Sequence, residues 1–371
     1  MNTTSIEPLH LKNLSLTELT EIVKALGEPS YRAKQCYAAL YNPEIRSFAD
    51  MTTLPQALRK KLDEHYRLFS MDIANVQLSE DGTRKYLFQL ADGKAVEAVL
   101  IPSELVTSAG EPKRLTLCVS SQVGCQLGCK FCATASLKLK RNLTVAEIID
   151  QYMLVQQQSD KPITNMVFMG MGEPMLNYDN VMKAIDMFTH PDFKLIGARH
   201  ITVSTAGVLP GIQRMADENR PVKLAISLHA TTNALREKLM PLSKTFTLKK
   251  LGDAAEYYYR KTRKPITYEY ILFDGLNDSE HDVERLARIT RRVPSKVNVI
   301  PFHPIEFTHP EGFAAELQAT SKENFQRFIA KLKHAGVTVM IRSSSGEDID
   351  AACGQLAFSK VAEQHAAAVS L

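Results

Sequence analysis

Between residues 114 and 343, short apolar runs alternate with stretches of helical periodicity, and no other feature restricts the fold as much. The runs are "RLTLCVS" (114–120), "NMVFMG" (165–170), "HITVST" (200–205), "VKLAISLH" (222–229), "ITYEYIL" (266–272), "VNVIPF" (297–302) and "VTVMIRS" (337–343). Helical segments are predicted between them. Thr144 and Glu147 form a capping-box pattern ahead of Ile148, Ile149, Tyr152 and Met153. Ser321 caps a stripe of Phe325, Phe328, Ile329 and Leu332 that stops at Gly336. Nearly continuous apolar strands separated by amphipathic helices predict an α/β chain with a parallel sheet and crossover helices. Roughly six such units suit a partial or complete (β/α) barrel, whose chemistry sits in the loops at the C-terminal ends of the strands.

The flanks read differently. Residues 1 to 70 are predicted helical, with Leu19, Ile22, Val23 and Leu26 at helical spacing before Gly27 and Pro29. In 71–102 two alternating runs surround Asp92-Gly93, a hairpin signal. The expected organisation is an N-terminal helical accessory domain (1–70), a small β-hairpin extension (71–110), a core barrel (111–345) and a C-terminal tail (346–371).

Hydrophobic residues make up 44% of the chain and charged residues 23%, enough to bury a core. No apolar run reaches the ~18 residues of a membrane span, and the N-terminus lacks the pattern of a secretory signal. A cytoplasmic protein is expected, with no membrane partner. There, clustered cysteines bind metal or do redox chemistry more often than they form structural disulfides. The net charge of +4 permits an RNA partner without demanding one.

Four of the six cysteines fall in "CVSSQVGCQLGCKFC" (118–132). Cys125, Cys129 and Cys132 stand as C-x3-C-x2-C, and Cys118 lies seven residues upstream of the first. Thiolates suit zinc or iron–sulfur clusters. Zinc usually takes four closed ligands, whereas three thiols on a cube of four irons leave one iron open. A structural zinc site is the plain alternative. The other polar or glycine-rich oddities also follow strands: "GMGEP" after "NMVF", and His229 after "AISL".

The C-x3-C-x2-C motif after a first strand, with Phe131 before the last cysteine, resembles the radical S-adenosylmethionine (SAM) enzymes. "LCVSSQVGC", "NMVFMGMGEPMLN", "VSTAGV", "AISLHA", "GLNDSEHD" and "EDIDAACGQLA" narrow the match. In order and spacing they resemble the dual-specificity RNA adenine carbon-2 methyltransferases, from about residue 15 to 357.

The resemblance implies a radical SAM type of barrel in which Cys125, Cys129 and Cys132 hold a 4Fe–4S cluster. The open iron would chelate SAM, whose cleavage yields a 5′-deoxyadenosyl radical. Gly172 and Glu173 would contact the SAM amino group, a charge-assisted bond. Ser204 would bind the ribose, and Ser227, Leu228, His229 and His303 are also assigned to the cofactor. By the same resemblance Cys353 is the methyl carrier, methylated by one SAM while a second supplies the radical, so two are used per turnover. Glu97 would accept the proton of the ring carbon. Cys118 would resolve the RNA adduct by forming a transient disulfide with Cys353, an exchange of the thiol–disulfide kind. Two positions depart from the family: His303 in "PFHP", where an Asn is usual, and Leu139 in "ASLKLKRNL", where a Gly is usual. Cys36 has no assigned role and is expected to be a buried helix residue.

The implied partners are 23S rRNA at the peptidyl-transferase centre, tRNA at the adenosine 3′ of the anticodon, and a separate electron donor, with the enzyme a monomer. Candidate phosphate contacts are Lys138, Lys140 and Arg141 beside the cluster loop, Lys113 and Arg114, and Arg59, Lys60 and Lys61. The competing readings are the related carbon-8 methyltransferases of antibiotic resistance and a non-catalytic zinc-stabilised RNA-binding protein. "GMGEP" favours carbon 2, because the resistance enzymes tend to carry Ala after that Glu.

Overall fold

The computed structural model describes residues 9–108, 110–341 and 345–357. Three helices open the chain: α1 (Leu16–Ala25), α2 (Tyr31–Leu40) and α3 (Gln56–His65). Ser15 and Glu18 form a capping box at the start of α1, which satisfies two of the N–H groups that a helix start leaves unbonded. Leu19 and Val23 of its apolar stripe, and Leu58 and Leu62 of α3, are fully buried. Cys36 lies inside this module, and burial pushes its thiol up to about 12, as expected of a core residue.

Antiparallel strands follow: β1 (Met71–Leu78), β2 (Arg84–Leu90) and β3 (Ala95–Pro102). The predicted hairpin is β2–β3, and β1 is a third strand beyond it. Most of its residues are exposed or half-buried, so its sequence carries little alternation. β3 pairs antiparallel with β4 (Leu115–Cys118), so the sheet continues without a break across residue 110.

From β4 onward the sheet is parallel. Its further strands are β7 (Asn165–Phe168), β8 (Ile201–Thr205), β9 (Lys223–Ser227), β10 (Ile266–Leu272), β11 (Ser295–Pro301) and β12 (Val339–Ile341). A separate two-stranded ladder joins β5 (Gln122–Val123) to β6 (Arg141–Asn142). The ten-stranded order is β1-β2-β3-β4-β7-β8-β9-β10-β11-β12, an open barrel with an antiparallel flank. The crossovers carry α4 (Val145–Gln157), α5 (Tyr178–Phe188), α6 (Leu209–Asp217), α7 (Asn233–Leu239), α8 (Leu248–Thr262), α9 (Glu280–Thr290) and α10 (Lys322–His334). The capping box at Thr144 and the Ser321 cap form as predicted. Among the described residues, no helix is long and apolar enough to cross a membrane.

A buried ion pair joins the N-terminal helical module to the barrel. Lys12 Nζ lies 2.5 Å from Asp150 Oδ1 of α4, and both side chains are 1% exposed. Asp150 Oδ2 also accepts from the Ser70 amide and hydroxyl at 2.7 Å each. A buried charge left without its partner is costly, which opposes separation of the two parts.

Register decides what faces the interior. Val99 pairs with Cys118, Cys118 with Val167, Val167 with Thr202, and Ser227 with Glu269. Side chains alternate along a strand, and paired residues share a face. Glu97, Cys118, Ser204, Ser227 and Glu269 therefore all lie on the inner face of one continuous sheet.

Candidate active site

The cysteine loop leaves β4 and is closed at its base by the β5–β6 ladder, where Gln122 pairs with Asn142 and Val123 with Arg141. Gly124 has φ +74°, and a Cβ there would stand 1.9 Å from the Lys138 carbonyl oxygen. Only glycine permits that approach, which folds the loop back on itself and turns Cys125 inward. Further along, the Lys130 amide donates to the Leu239 carbonyl of α7 at 2.9 Å, fastening the loop to a second element.

Cys125, Cys129 and Cys132 all line one cavity at the C-terminal ends of the strands. Burial raises all three thiols, that of Cys125 to about 12, and repulsion between neighbouring thiolates raises Cys125 and Cys129 further. Three clustered buried thiols can all ionise only against a compensating cation. Among the described residues no three His, Cys, Asp or Glu side chains converge tightly enough to hold a single ion. Three soft thiolate donors lining one cavity fit an iron–sulfur cluster.

Glu173 forms the next wall. Its amide donates to Gln122 Oε1 at 2.8 Å. Its carboxylate accepts from the Met175 amide at 3.1 Å and the Ala206 amide at 2.8 Å. The side chain thus both caps the turn after β7 and ties it to the end of β8. Burial pushes this carboxyl up to about 7, against those hydrogen bonds. A buried carboxylate lining the cavity suits the ammonium group of SAM.

Ser204, Ser227 and His229 line the same cavity. His229 is held at φ +52°, and its Nδ1 accepts from the Ile271 amide at 3.0 Å. Burial and the neighbouring Arg236 push its pKa down to about 3. The ring is therefore neutral, with its proton on Nε2. Phe131 of the cysteine loop meets it edge to face at 4.7 Å. Leu228 does not line the cavity; its amide donates to the Glu269 carbonyl at 3.0 Å.

Sequence reasoning missed several supporting residues. Arg236 of α7 reads as a surface charge in "NALREKL" but is 1% exposed. Its guanidinium donates to the carbonyls of Ala206 (2.8 Å), Ser227 (3.0 Å) and Leu228 (3.1 Å), and to Ser243 Oγ (2.7 Å). One side chain thus binds the ends of β8 and β9 together. Glu269 on β10 is a buried acid lining the cavity, and its Oε2 accepts from Asn298 of β11 at 2.7 Å. Both signals depend on contacts between distant elements, which no local pattern reveals.

The C-terminal loop brings Cys353 into the same cavity wall. It is anchored rather than loose. Ser79 Oγ and the Glu80 amide bond Asp348 at 2.5 and 3.2 Å, and the Gly346 amide donates to Asp81 at 3.0 Å. On its other side the Ala133 amide donates to the Gly354 carbonyl at 2.7 Å, and Thr134 Oγ1 to the Leu356 carbonyl at 2.5 Å. His303 does not line the large cavity. It borders a smaller one that Cys353 shares, with its Nδ1 3.5 Å from Glu347.

Cys118 and Glu97 do not line the large cavity either. They sit on adjoining strands of the inner sheet face, both buried. Glu97 is no exposed hairpin charge: it is 2% exposed, and its Oε1 lies 3.8 Å from Lys85 Nζ. Its Oε2 is buried without a hydrogen-bond partner. Burial raises its pKa to about 7; Lys85 opposes that rise and Asp350 adds to it. No disulfide joins the cysteines in this structure.

Among the basic candidates Arg141 is withdrawn from solvent duty. It pairs with Asp92 at 2.7 Å and with both oxygens of Glu147 at 2.8 Å, bracing the hairpin turn against α4. Lys61 donates to the Leu26 carbonyl, Arg59 bonds the Ala49 carbonyl, and Lys60 faces Glu64 at 3.9 Å. Lys113, Arg114, Lys138 and Lys140 are exposed.

Known proteins align with this architecture. The model of the Radical SAM superfamily matches residues 119–287, and that of the ribosomal RNA large subunit methyltransferase N-terminal domain matches residues 9–68. The dual-specificity RNA methyltransferase RlmN of Geotalea uraniireducens is 43% identical, over 95% of this chain and 97% of its own length. That of Syntrophobacter fumaroxidans is also 43% identical, over 95% and 98%. The crystal structure of a radical SAM methyltransferase from Sphaerobacter thermophilus superposes with a TM-score of 0.86, at 39% identity over 94% of this chain and 99% of that one. Full-length similarity at this level, on a sheet that gathers three clustered cysteines around one cavity, shows that the chain belongs to the RlmN family of radical SAM RNA methyltransferases.

Proposed function

We propose that the protein methylates carbon 2 of adenine in 23S rRNA and in tRNA, with Cys353 as the methyl carrier. The observation that carries this reading is the convergence of Cys125, Cys129, Cys132 and Cys353 on one cavity beside Glu173. A 4Fe–4S cluster with bound SAM would supply the one-electron chemistry that makes an unreactive methyl C–H bond breakable.

The chain's own residues bind, orient and move protons. Cys125, Cys129 and Cys132 hold the cluster as thiolates. Glu173 would bind the SAM ammonium, Ser204 and Ser227 would offer hydroxyls from neighbouring strand ends, and neutral His229 would offer an Nε2–H donor. The Cys353 thiolate would attack the methyl carbon of SAM, the new S–CH3 bond forming as the sulfonium C–S bond breaks and S-adenosylhomocysteine leaves. Its loop is gripped from both sides, so the carrier sulfur stays at the cavity wall.

Once the S-methyl group has given a hydrogen atom to the SAM-derived radical, its carbon would bond to the ring carbon of adenine; loss of one electron, back to the redox group that supplied it, and of the ring-carbon proton would leave a thioether between Cys353 and the RNA. Glu97 Oε2, buried and without a partner, is the oxygen that accepts the proton of the ring carbon. Cys118 then attacks the sulfur of Cys353. The S–S bond forms as the S–CH2 bond breaks. The electron pair passes to the methylene carbon, which takes a proton to become the product methyl group. Exposed Lys138 and Lys140 beside the loop, with Lys113 and Arg114, supply phosphate contacts, and the base must leave its stack to enter the cavity.

Anaerobic reaction of the reconstituted enzyme with unmodified RNA, digestion and nucleoside mass spectrometry test this. 2-Methyladenosine is expected. Product that is only 8-methyladenosine would move the protein to carbon-8 chemistry, and a protein holding zinc without iron or sulfide would overturn both.

A further inference from the structure

Lys85 has no role in the chemistry above, yet its surroundings single it out. It lies on β2, between the proton acceptor and the carrier loop. Its Nζ is 3.8 Å from Glu97 Oε1 and 3.3 Å from the carbonyl of Asp350, three residues before Cys353. Both members of the pair are nearly fully buried, at 2% and 3% side-chain exposure. Register puts Lys85 opposite Val99, which pairs in turn with Cys118, so Lys85, Glu97 and Cys118 share one sheet face.

A lysine is rarely buried without a reason beyond packing, because desolvating an ammonium is unfavourable unless partners offset it. Here one partner is a carboxylate and the other a backbone carbonyl. Asp350 adopts φ +52°, an unusual conformation for a non-glycine residue.

We propose that Lys85 is a positioning residue that keeps Glu97 ionised and couples it to the docked Cys353 loop. This rests on the reading of Glu97 as the proton acceptor. The electrostatics have a definite sign. Burial drives Glu97 toward its neutral form, and a neutral acid cannot take a proton. The charged groups acting on it are Lys85 from β2 and Asp350 from the carrier loop, and only Lys85 favours the carboxylate. The ammonium also bonds the carrier loop, so the position of that loop and the charge of the acceptor are read by the same nitrogen. Lys85 itself gives up no proton and forms no bond to RNA.

The test uses the reconstituted holoenzyme and unmodified in vitro transcribed tRNA under anaerobic conditions. Lys85→Met, Lys85→Arg and Glu97→Gln are compared. Three quantities are read: S-methylation of Cys353 by peptide mass spectrometry, the covalent protein–RNA species on denaturing gels, and the pH profile of its decay. Lys85→Met is expected to retain S-methyl-Cys353 and to accumulate the covalent species. The acidic limb of its decay profile should move up by about one pH unit or more, the scale of an opposite charge within contact range. Decay on that limb should then be about tenfold slower at fixed pH. Lys85→Arg, which keeps the charge, should restore the limb.

An unshifted limb in Lys85→Met overturns the proposal, as does failure of Lys85→Arg to differ from it. If Lys85→Met does not fold, Lys85→Gln is read in the same way, with far-ultraviolet circular dichroism as the control. Glu97→Gln separates the two claims. If it turns over like the parent, Glu97 is not the acceptor. If it stalls with the adduct while Lys85→Met keeps the parental profile, only the role of Lys85 is lost.

Discussion

The amide of Ala133 donates to the carbonyl of Gly354 at 2.7 Å, joining the residue after the third clustered cysteine to the residue after Cys353. Gly354 has φ +90°, and a Cβ there would stand 2.9 Å from the Phe131 carbonyl oxygen. The glycine beside Cys353 thus allows the C-terminal loop to lie directly on the cysteine loop. Parts of the chain more than two hundred residues apart form one wall of the cavity, and Cys353 is placed by both. Ala351 and Ala352 are buried and the loop is bonded at both ends.

That anchoring is open to test at Asp348. Its carboxylate accepts from Ser79 and from the Glu80 amide. Asp348→Ala removes both bonds. Alkylation of Cys353 by iodoacetamide in the native protein should quicken several-fold, with little change in the melting temperature. An unchanged alkylation rate would mean that Ala133 and Thr134 hold the loop unaided.

Gly124 carries the fold of the cysteine loop. Gly124→Ala would drive a methyl group into the Lys138 carbonyl, with the added strain of a positive φ. The expected result is a folded protein whose iron content after reconstitution falls by half or more, measured by iron and sulfide assay. Full iron occupancy would show that the loop can re-form without the close approach.

Arg236→Leu is expected to destabilise the protein by about 3 kcal/mol or more, since three carbonyls at the β8 and β9 ends lose their donor. Arg236→Lys should recover only part, because an ammonium cannot reproduce the planar fork. Denaturant midpoints measure both. A loss under 1 kcal/mol for Leu would mean that water replaces the guanidinium.

Glu97 and Glu173 each have a carboxyl raised from 4.5 to about 7, chiefly by burial. The folded chain then binds more protons than the unfolded chain between these values, so stability falls as pH rises from about 4.5 to 7. The melting temperature of the protein without cluster or SAM should drop by several degrees from pH 5 to 7.5. Glu173→Gln should flatten that slope by removing one of the two titrating groups. A slope unchanged in Glu173→Gln would show that its hydrogen bonds from Met175 and Ala206 already outweigh burial.

Much of the frame was legible in the residues. The apolar runs from "RLTLCVS" to "VTVMIRS" each contain a strand. The apolar residues of β8, β9 and β10 are buried, as in parallel strands covered on both faces, whereas β12 at the sheet edge keeps its apolar residues exposed or half-buried. Thr144 and Ser321 marked helix starts, because a capping hydroxyl needs only its own amide neighbours. β1 was not legible: most of its residues remain accessible, so burial imposed no alternation on them.

The sequence by itself determined the cysteine spacing, the positions of most strands along the chain and the acids and thiols available for chemistry. Those are local properties, set by neighbours within a few residues. Tertiary structure alone decided which polar groups are buried and with whom. Arg236, Lys85, Lys12 and Asp150 all look like surface charges along the chain, and each is enclosed. The cost of burying such groups is met only by partners brought from other elements: Asp150 for Lys12, Glu97 and Asp350 for Lys85, the ends of two strands for Arg236. Cys118 and Cys353 mark the same divide. Their identities are written in the sequence, but the face of the sheet and the wall of the cavity they occupy follow from strand register and from a C-terminal loop bonded at both ends.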